Sequence, residues 1–182
     1  MQEDKMHSRT VRNIFFIILF ITIFAFQGFP QQILKLALVN SQKVFELSTE
    51  GKKAISQLKD RESKIKEELG KLDNKLQELQ TKFNTQRLTL TEEALSQLAS
   101  DIERARTDRK RYEEDSTRDY QRLQLRLWQK VRDEVVPIIE QLGKEKGFDV
   151  VLDLAGASII YFNPAVDITD EVVKRYDASK TK

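Results

Sequence analysis

The chain has 182 residues, of which 40% are hydrophobic and 33% are charged, and its formal net charge is +2. The charged fraction exceeds the roughly 25% of an average globular domain, which favours extended, solvated helices over one thick core. There is no cysteine, so disulfides and thiolate metal sites are excluded, and the single histidine, His7, precedes an apolar run near the N-terminus.

The first 32 residues have the pattern of a secretory signal peptide. Three basic residues, Lys5, Arg9 and Arg12, precede the run IFFIILFITIFAF, residues 14–26. That run is shorter than the roughly 20 residues that a membrane-spanning helix needs. We therefore expect export and cleavage between Gly28 and Gln32, the alternative being an uncleaved N-terminal anchor in the inner membrane.

The segment ILKLALV, residues 33–39, alternates as a half-buried strand does, so that Leu34, Leu36 and Leu38 share one face. The next segment, SQKVFEL, predicts a short helix that ends in the stretch 49–51.

A heptad repeat of apolar residues runs from Ile55 to Phe83 and predicts a coiled coil. A second apolar series begins at Leu95, and positions that would face each other in an antiparallel hairpin have numbers that add up to 177 or 178. Thr89 and Glu92 fit a capping box at the start of a new helix. We predict a coiled-coil hairpin arm over residues 52–132, with the chain reversing near 84–91.

One layer of this predicted hairpin is polar on both helices. Glu62 breaks the first series and falls opposite Ser116, the small polar position of the second. Two interpretations stay open: the layer is a tolerated defect, or it is a hinge that lets the arm splay.

The remaining residues, 33–51 and 133–182, predict a small body that contains strands. The segment 148–154 alternates, the run SIIYF at 158–162 predicts a third strand, Thr169 is placed to cap a last helix, and Pro137 predicts a kink in the second arm helix. A body of about 60 residues is hard to stabilise alone, so we expect it to oligomerise through its strands. The predicted oligomerisation residues in both parts of the body are Leu34, Leu36, Leu38, Phe148, Val150, Leu152, Leu154 and Ile160.

Charge differs between the two parts. Residues 52–132 hold 20 Lys and Arg against 15 Asp and Glu, whereas residues 133–182 hold 6 against 10. Acidic residues interrupt every basic stretch, so we do not expect nucleic-acid binding. The acids are scattered along polar helix faces, and we therefore predict no catalytic residues, no cofactor, no metal and no enzymatic activity.

Three quoted stretches carry a resemblance to a known family: LALVNSQKVFELSTEGKKA, the turn LTLTEEAL, and KGFDVVLDLAGASIIYFNPAVDITDEVVK. Over residues 35–176 the chain resembles the Skp (OmpH-like) periplasmic chaperones of Gram-negative bacteria. The resemblance implies an α+β fold with a long antiparallel coiled-coil hairpin projecting from a small strand-containing body. It also implies a homotrimer in the periplasm whose arms enclose a cavity, and an ATP-independent holdase for unfolded outer-membrane proteins, with transient contact to a membrane surface.

Four apolar residues lie off the arm's predicted seam and are candidate client contacts: Leu88, Leu90, Leu125 and Trp128. For Leu88 and Leu90 the alternative is packing within the turn, and for Trp128 it is packing against the body or a neighbouring subunit. A different reading of the whole chain is a membrane-tethered coiled-coil scaffold of the cell envelope. Retention of Met1 would favour that scaffold, and a mature chain that begins near residues 29–33 would favour the holdase.

Overall fold

Two long helices that run antiparallel to each other account for most of the chain. The computed structural model describes residues 34–181, so the predicted signal peptide, residues 1–32, lies outside the described residues. The elements in chain order are β1 (Leu36–Val39), α1 (Ser41–Leu47), α2 (Thr49–Gln86), α3 (Glu92–Lys146), β2 (Val150–Asp153), a 3-10 turn (Pro164–Val166) and α4 (Thr169–Lys180). The predicted α+β fold with a helical hairpin is confirmed.

Helices α2 and α3 form the hairpin, and α3 continues beyond it into the body. With 38 and 55 residues, they are about 57 Å and about 82 Å long at 1.5 Å per residue. Helix α3 runs through Pro137 and ends at Gly147, whose φ of 66° suits a glycine.

The reversal between the helices uses a different threonine from the predicted one. Thr91 caps α3, since its Oγ1 accepts a hydrogen bond of 3.3 Å from the N–H of Ala94. Thr89 instead closes the preceding helix, because its N–H and its hydroxyl both donate to the carbonyl of Gln86. The predicted capping box of Thr89 and Glu92 is therefore wrong, and the cap lies two residues later, at Thr91. Thr89 belongs to the tight turn that follows Gln86, so it is not available to cap the second helix.

Residues 49–51 begin the first arm helix, whereas they were expected to terminate the short helix before it. Helix α1 ends at Leu47, and Ser48 caps α2 by accepting a hydrogen bond of 3.2 Å from the N–H of Gly51. Gly51 packs against the backbone of α1 so closely that an added Cβ would lie 1.6 Å from the carbonyl oxygen of Phe45. Only glycine permits this abrupt change of direction between α1 and α2.

The sheet has two strands, which are parallel, with Leu36 beside Val150 and Leu38 beside Leu152. The predicted third strand at 158–162 is wrong for the single chain, because this segment pairs with no strand among residues 34–181. Because β1 has β2 on one side and a bridge from Leu38 to Asp167 on the other, the outer edge of β2 is the free edge of this sheet, and the segment 158–162 does not pair with it.

The core lies where β1, α1 and α4 pack against the base of the hairpin. Its buried members are Ala37, Val39, Val44, Phe45, Ala54, Val131, Val135, Leu142, Ile168, Val172 and Tyr176. Because Ala37 and Val39 are buried as well as Leu38, the expectation of a half-buried β1 is wrong for the end of that strand.

Polar contacts join distant parts of the chain around this core. Asp153 of β2 accepts hydrogen bonds from the backbone and the hydroxyl of Ser41, at 3.1 and 2.6 Å. Thr169 was expected to cap α4, but its hydroxyl accepts a hydrogen bond of 2.9 Å from the N–H of Asn40. The carboxylate of Asp167 accepts a hydrogen bond of 2.9 Å from the N–H of Thr169, the first residue of α4. Among the helices between residues 34 and 181, none has the length and apolar character required to cross a membrane.

Candidate functional site

The apolar seam of the arm stays partly open along its length. On α2 the heptad residues between the base and the tip are half-buried: Ile65, Leu69, Leu72, Leu76, Leu79 and Phe83. On α3 the facing positions Leu98, Ile102, Ala105 and Ser116 are buried. A two-helix hairpin has one contact line and no third layer, so its seam cannot be fully covered. The arm therefore presents a stripe of partly exposed apolar side chains flanked by charges.

Ion pairs cover the outer faces of the arm and tie its two helices together. Most of them join residues three or four apart on one helix, such as Lys66 with Glu62 at 2.7 Å. Two cross between the helices: Arg109 with Asp73, and Arg61 with Asp119 at 3.6 Å. Arg109 donates hydrogen bonds to the carboxylates of Asp73 and Glu113, which raise the pKa of Arg109 above its usual range.

The tip carries the most exposed leucine of the described chain. Leu88 is 90% exposed, whereas Leu90 is half-buried in the turn. The structure thus separates the two candidate contacts at the tip, and Leu88 is the one whose side chain faces solvent.

The two candidate contacts near the arm base also differ. Leu125 is 59% exposed. Trp128 is half-buried and stacks on Phe45 of α1, with ring centroids 4.4 Å apart and an interplanar angle of 4°. Trp128 thus contacts the body of its own chain, and stacking of this kind adds stability beyond the buried area.

The polar layer of the arm is asymmetric. Ser116 is buried and its hydroxyl donates to the carbonyl of Glu113, at 3.1 Å. Glu62 is exposed and pairs with Lys66 on its own helix, which lowers the pKa of the Glu62 carboxyl. The layer therefore combines a small buried side chain with a carboxylate directed to solvent, so little apolar packing holds the helices together there.

The sheet turns one face toward the core and leaves the other partly open. Val151 packs on the core, whereas Val150 and Leu152, on the opposite face of β2, are 37% and 38% exposed. Leu36 is half-buried and Leu38 is buried beside them. The other predicted oligomerisation residues of the C-terminal part differ among themselves: Phe148 packs on the core, Leu154 is half-buried and Ile160 is fully exposed. Leu34 is also exposed.

An apolar groove of about 540 Å³ lies beside this sheet, between β1, β2, α1 and α3. Its lining residues include Trp128, Val131, Val136 and Val151, and the side chains of Arg132 and Asp153 also contribute. The segment 158–162 follows β2 without regular secondary structure and presents exposed Ile160 and Tyr161. A strand with a free edge, an apolar groove and an exposed apolar segment are thus parts of one body.

A buried tyrosine contact that the sequence did not indicate joins α4 to the base of the arm. The hydroxyl of Tyr176, a fully buried residue, donates to Oε2 of Glu134 at 2.5 Å, and Lys180 pairs with the same oxygen at 2.9 Å. Desolvation raises the pKa of Glu134, but the hydrogen bonds from Tyr176 and Lys180 outweigh it, so the pKa lies below its ordinary value. Desolvation and the neighbouring carboxylate both raise the pKa of Tyr176. Nothing in the local sequence relates residues 42 positions apart.

Within residues 34–181, no three His, Asp or Glu side chains come together as a metal site would require. The polar groups of the body instead form hydrogen bonds and ion pairs that join its elements. The chain thus defines a class of protein in which a long, partly apolar and highly charged helical hairpin extends from a small α+β body.

Comparisons with known proteins identify the family. The model of the family described as outer membrane protein (OmpH-like) matches residues 35–176. The chain therefore belongs to the OmpH-like family, and the resemblance to Skp is confirmed. A crystal structure of a candidate outer membrane chaperone (OmpH-like) from Caulobacter crescentus CB15 has the same fold, with a TM-score of 0.72 and 23% identity. The similarity covers 85% of this chain and 90% of that one. No curated protein matches the sequence significantly.

Proposed function

We propose that this protein is a periplasmic, ATP-independent holdase that binds unfolded outer-membrane proteins between helical arms and prevents their aggregation. The observation that carries the proposal is the row of half-buried apolar side chains that α2 presents along the arm from Ile65 to Phe83. Membership of the OmpH-like family and the fold shared with a candidate chaperone support the same function.

The physical need for such a protein follows from the chemistry of barrel proteins. Their strands alternate apolar and polar side chains, and in water the apolar face and the unpaired strand edges have no partner. Many weak contacts along an arm can cover such a chain without reading its sequence, and weak contacts allow its release. The charged side chains that flank the seam keep the arm itself soluble.

We further propose that the body, residues 33–51 and 133–182, forms a homotrimer and that residues 52–132 serve as the client-binding arm. The open face with Val150 and Leu152, the adjoining groove and the exposed Ile160 support association through the body, because apolar surface of this kind is covered in stable proteins. The number three follows from the resemblance to Skp.

Within the arm, Leu88 and Leu125 are the proposed client contacts. Both are well exposed, whereas Leu90 is half-buried and Trp128 stacks on Phe45, so these two contribute less. The layer of Glu62 and Ser116 is the proposed hinge, since it supplies little apolar packing between the helices.

The experiment is suppression of aggregation by an arm-shortened variant. Deleting residues 69–82 and 96–109 removes two heptads from each helix and keeps the facing positions in register. A urea-unfolded barrel protein is diluted into buffer with the intact protein or with this variant, and light scattering is followed. We expect the intact protein to suppress scattering and the variant to require several-fold more protein for the same effect. Equal suppression by both would contradict a role for the arm.

Single positions refine the same assay. The double substitution Leu88→Ser and Leu125→Ser should weaken suppression, whereas Leu47→Ser, which changes an exposed leucine outside the arm, should leave it unchanged. Exposed leucines contribute little to stability, so melting curves of the variants should match that of the parent.

N-terminal sequencing of the protein from cells separates the two interpretations of the N-terminus. A start near residues 29–33 fits a released periplasmic protein, and retained Met1 fits a tethered one.

A further inference from the structure

A pocket on the lower arm combines three arginines with apolar surface. It has a volume of about 700 Å³ and opens to solvent between α2 and α3. We call it the arginine pocket, and its lining residues are Arg61, Asp119, Arg122, Leu123, Leu125, Arg126 and Gln129.

The pocket holds three guanidinium groups and one carboxylate. Asp119 pairs with Arg122 at 2.5 Å and with Arg61 at 3.6 Å. Arg126 forms no ion pair with any residue between 34 and 181. Two positive charges among the lining residues are therefore uncompensated. The hydrogen bond from Arg122 and the charges of Arg122, Arg61 and Arg118 hold the pKa of Asp119 below its usual range. The carboxylate is therefore ionised near neutral pH, and the lining residues carry a net charge of two positive units.

Several arginines nearer the tip of α3 pair with an acid on the same helix. Arg104 pairs with Asp101 at 3.0 Å, and Arg106 pairs with Glu103 at 2.6 Å. The arm as a whole is basic, and the arginine pocket gathers three of its arginines around one acid.

The pocket combines this positive charge with apolar surface. Leu125 stands between Arg122 and Arg126 on α3 and is 59% exposed. A guanidinium group binds a carboxylate through two parallel N–H donors, a geometry that a lysine cannot supply. A matching ligand therefore has an apolar side chain that packs on Leu125, with a carboxylate on either side of it for Arg122 and Arg126.

We propose that the arginine pocket binds segments of the unfolded client in which acidic side chains flank an apolar one. This inference rests on the proposed holdase function, and it states which client segments the arm binds most tightly. Anionic lipid headgroups would also offer an anion to the guanidinium groups, so the test below separates a lipid from the peptide.

The test uses a fluorescent peptide in which Glu flanks Leu, and a second peptide with Gln in place of Glu. The pocket variant is Arg122→Gln with Arg126→Gln. The matched control is Arg104→Gln with Lys110→Gln, which changes the net charge equally at exposed positions higher on the same helix. Anisotropy titrations on the whole protein give the affinities, and melting curves establish that both variants fold.

We expect the pocket variant to bind the Glu peptide about tenfold more weakly than the parent, and the control variant to bind it as the parent does. The Gln peptide should bind the parent and the pocket variant with equal, low affinity. Equal losses in the two variants, no loss in either, or tight binding of the Gln peptide would each overturn the proposal. So would a pocket variant that loses binding to phosphatidylglycerol vesicles while it keeps the peptide.

The peptide assay contains no client protein, so its failure is distinguishable from failure of the holdase function. A protein that suppresses client aggregation but shows no selective loss in the pocket variant would refute the pocket alone. A protein that binds the peptide through the pocket but holds no client would overturn the assignment of this site to client binding.

Discussion

Gly51 and Gly70 lie on the same helix, and alanine should have opposite effects at the two positions. At Gly51 an added Cβ would lie 1.6 Å from the carbonyl oxygen and 2.6 Å from the carbonyl carbon of Phe45. At Gly70 nothing lies within 4 Å of the added atom. The two substitutions therefore share their chemistry and differ only in the space around them.

The magnitudes follow from these surroundings. In a helix interior alanine is favoured over glycine by up to about 1 kcal/mol, so Gly70→Ala should stabilise the protein by about 0.5–1 kcal/mol. Gly51→Ala gains the same helix propensity, but its added Cβ clashes with the backbone carbonyl of Phe45. It must displace Phe45 and the ring of Trp128 that stacks on it. Overpacking of this kind costs about 1–3 kcal/mol or more, so the net effect is destabilising.

Thermal unfolding at one fixed protomer concentration measures both effects. The fixed concentration is needed because an oligomer's Tm depends on it. We expect Gly70→Ala to raise Tm by about 1–4 °C and Gly51→Ala to lower it by roughly 2–9 °C. A Gly51→Ala protein as stable as the parent, or a destabilised Gly70→Ala protein, would refute the close approach of α1 and α2 on which the reasoning depends.

Three other expectations concern the body and the base of the arm. A carboxyl whose folded pKa is lowered stabilises the fold at pH values above its ordinary pKa of 4.5, and this stabilisation is lost as the pH falls through the folded pKa. Glu134→Gln should therefore make Tm less sensitive to acid below pH 4.5 than in the parent. An acid response unchanged by that substitution would be the contrary result. Gly147→Ala places a Cβ at a φ of 66° and should destabilise the protein by about 1–2 kcal/mol in urea unfolding, and an unchanged midpoint would contradict the left-handed cap. Phe45→Ala should shift the emission of Trp128, the only tryptophan, to longer wavelength and cost about 3–5 kcal/mol, whereas unaltered emission would argue against the stacked pair.

The hairpin could be predicted from the sequence because its contacts repeat. Each layer of the arm uses the same two kinds of position, so a heptad pattern and a constant sum of facing residue numbers suffice to pair the helices. The exact turn could not be predicted, since Thr89 and Thr91 are both plausible caps and the choice depends on how tightly the chain turns after Gln86.

The body was less predictable because its contacts are few and distant in sequence. The segment 158–162 has the composition of a strand, but composition does not say whether an edge is free to receive it. Trp128 lies off the seam, and only the folded chain reveals that Phe45 of α1 is its partner. The stretch that contains Gly51 was predicted to end a helix, because a close approach between α1 and α2 leaves no periodic pattern that would reveal it.

The candidate site shows the same division. Exposure of Leu88 and Leu125 agrees with their position off the seam, which the heptad indicated. The arginine pocket was not foreseen, since Arg61 and Asp119 are brought together only by the register of the hairpin. Charge pairs across two helices are visible in a sequence only after the helices have been aligned residue by residue.

The most direct test of the holdase function is the mass of the complex formed when the protein meets an unfolded barrel protein in the absence of ATP. Native mass spectrometry of the soluble fraction, taken after dilution of the urea, gives that mass. We predict one client bound by three chains, with the client in solution and without the circular dichroism of a folded barrel. Free protein in the soluble fraction, with all of the client sedimented, would contradict the proposed function.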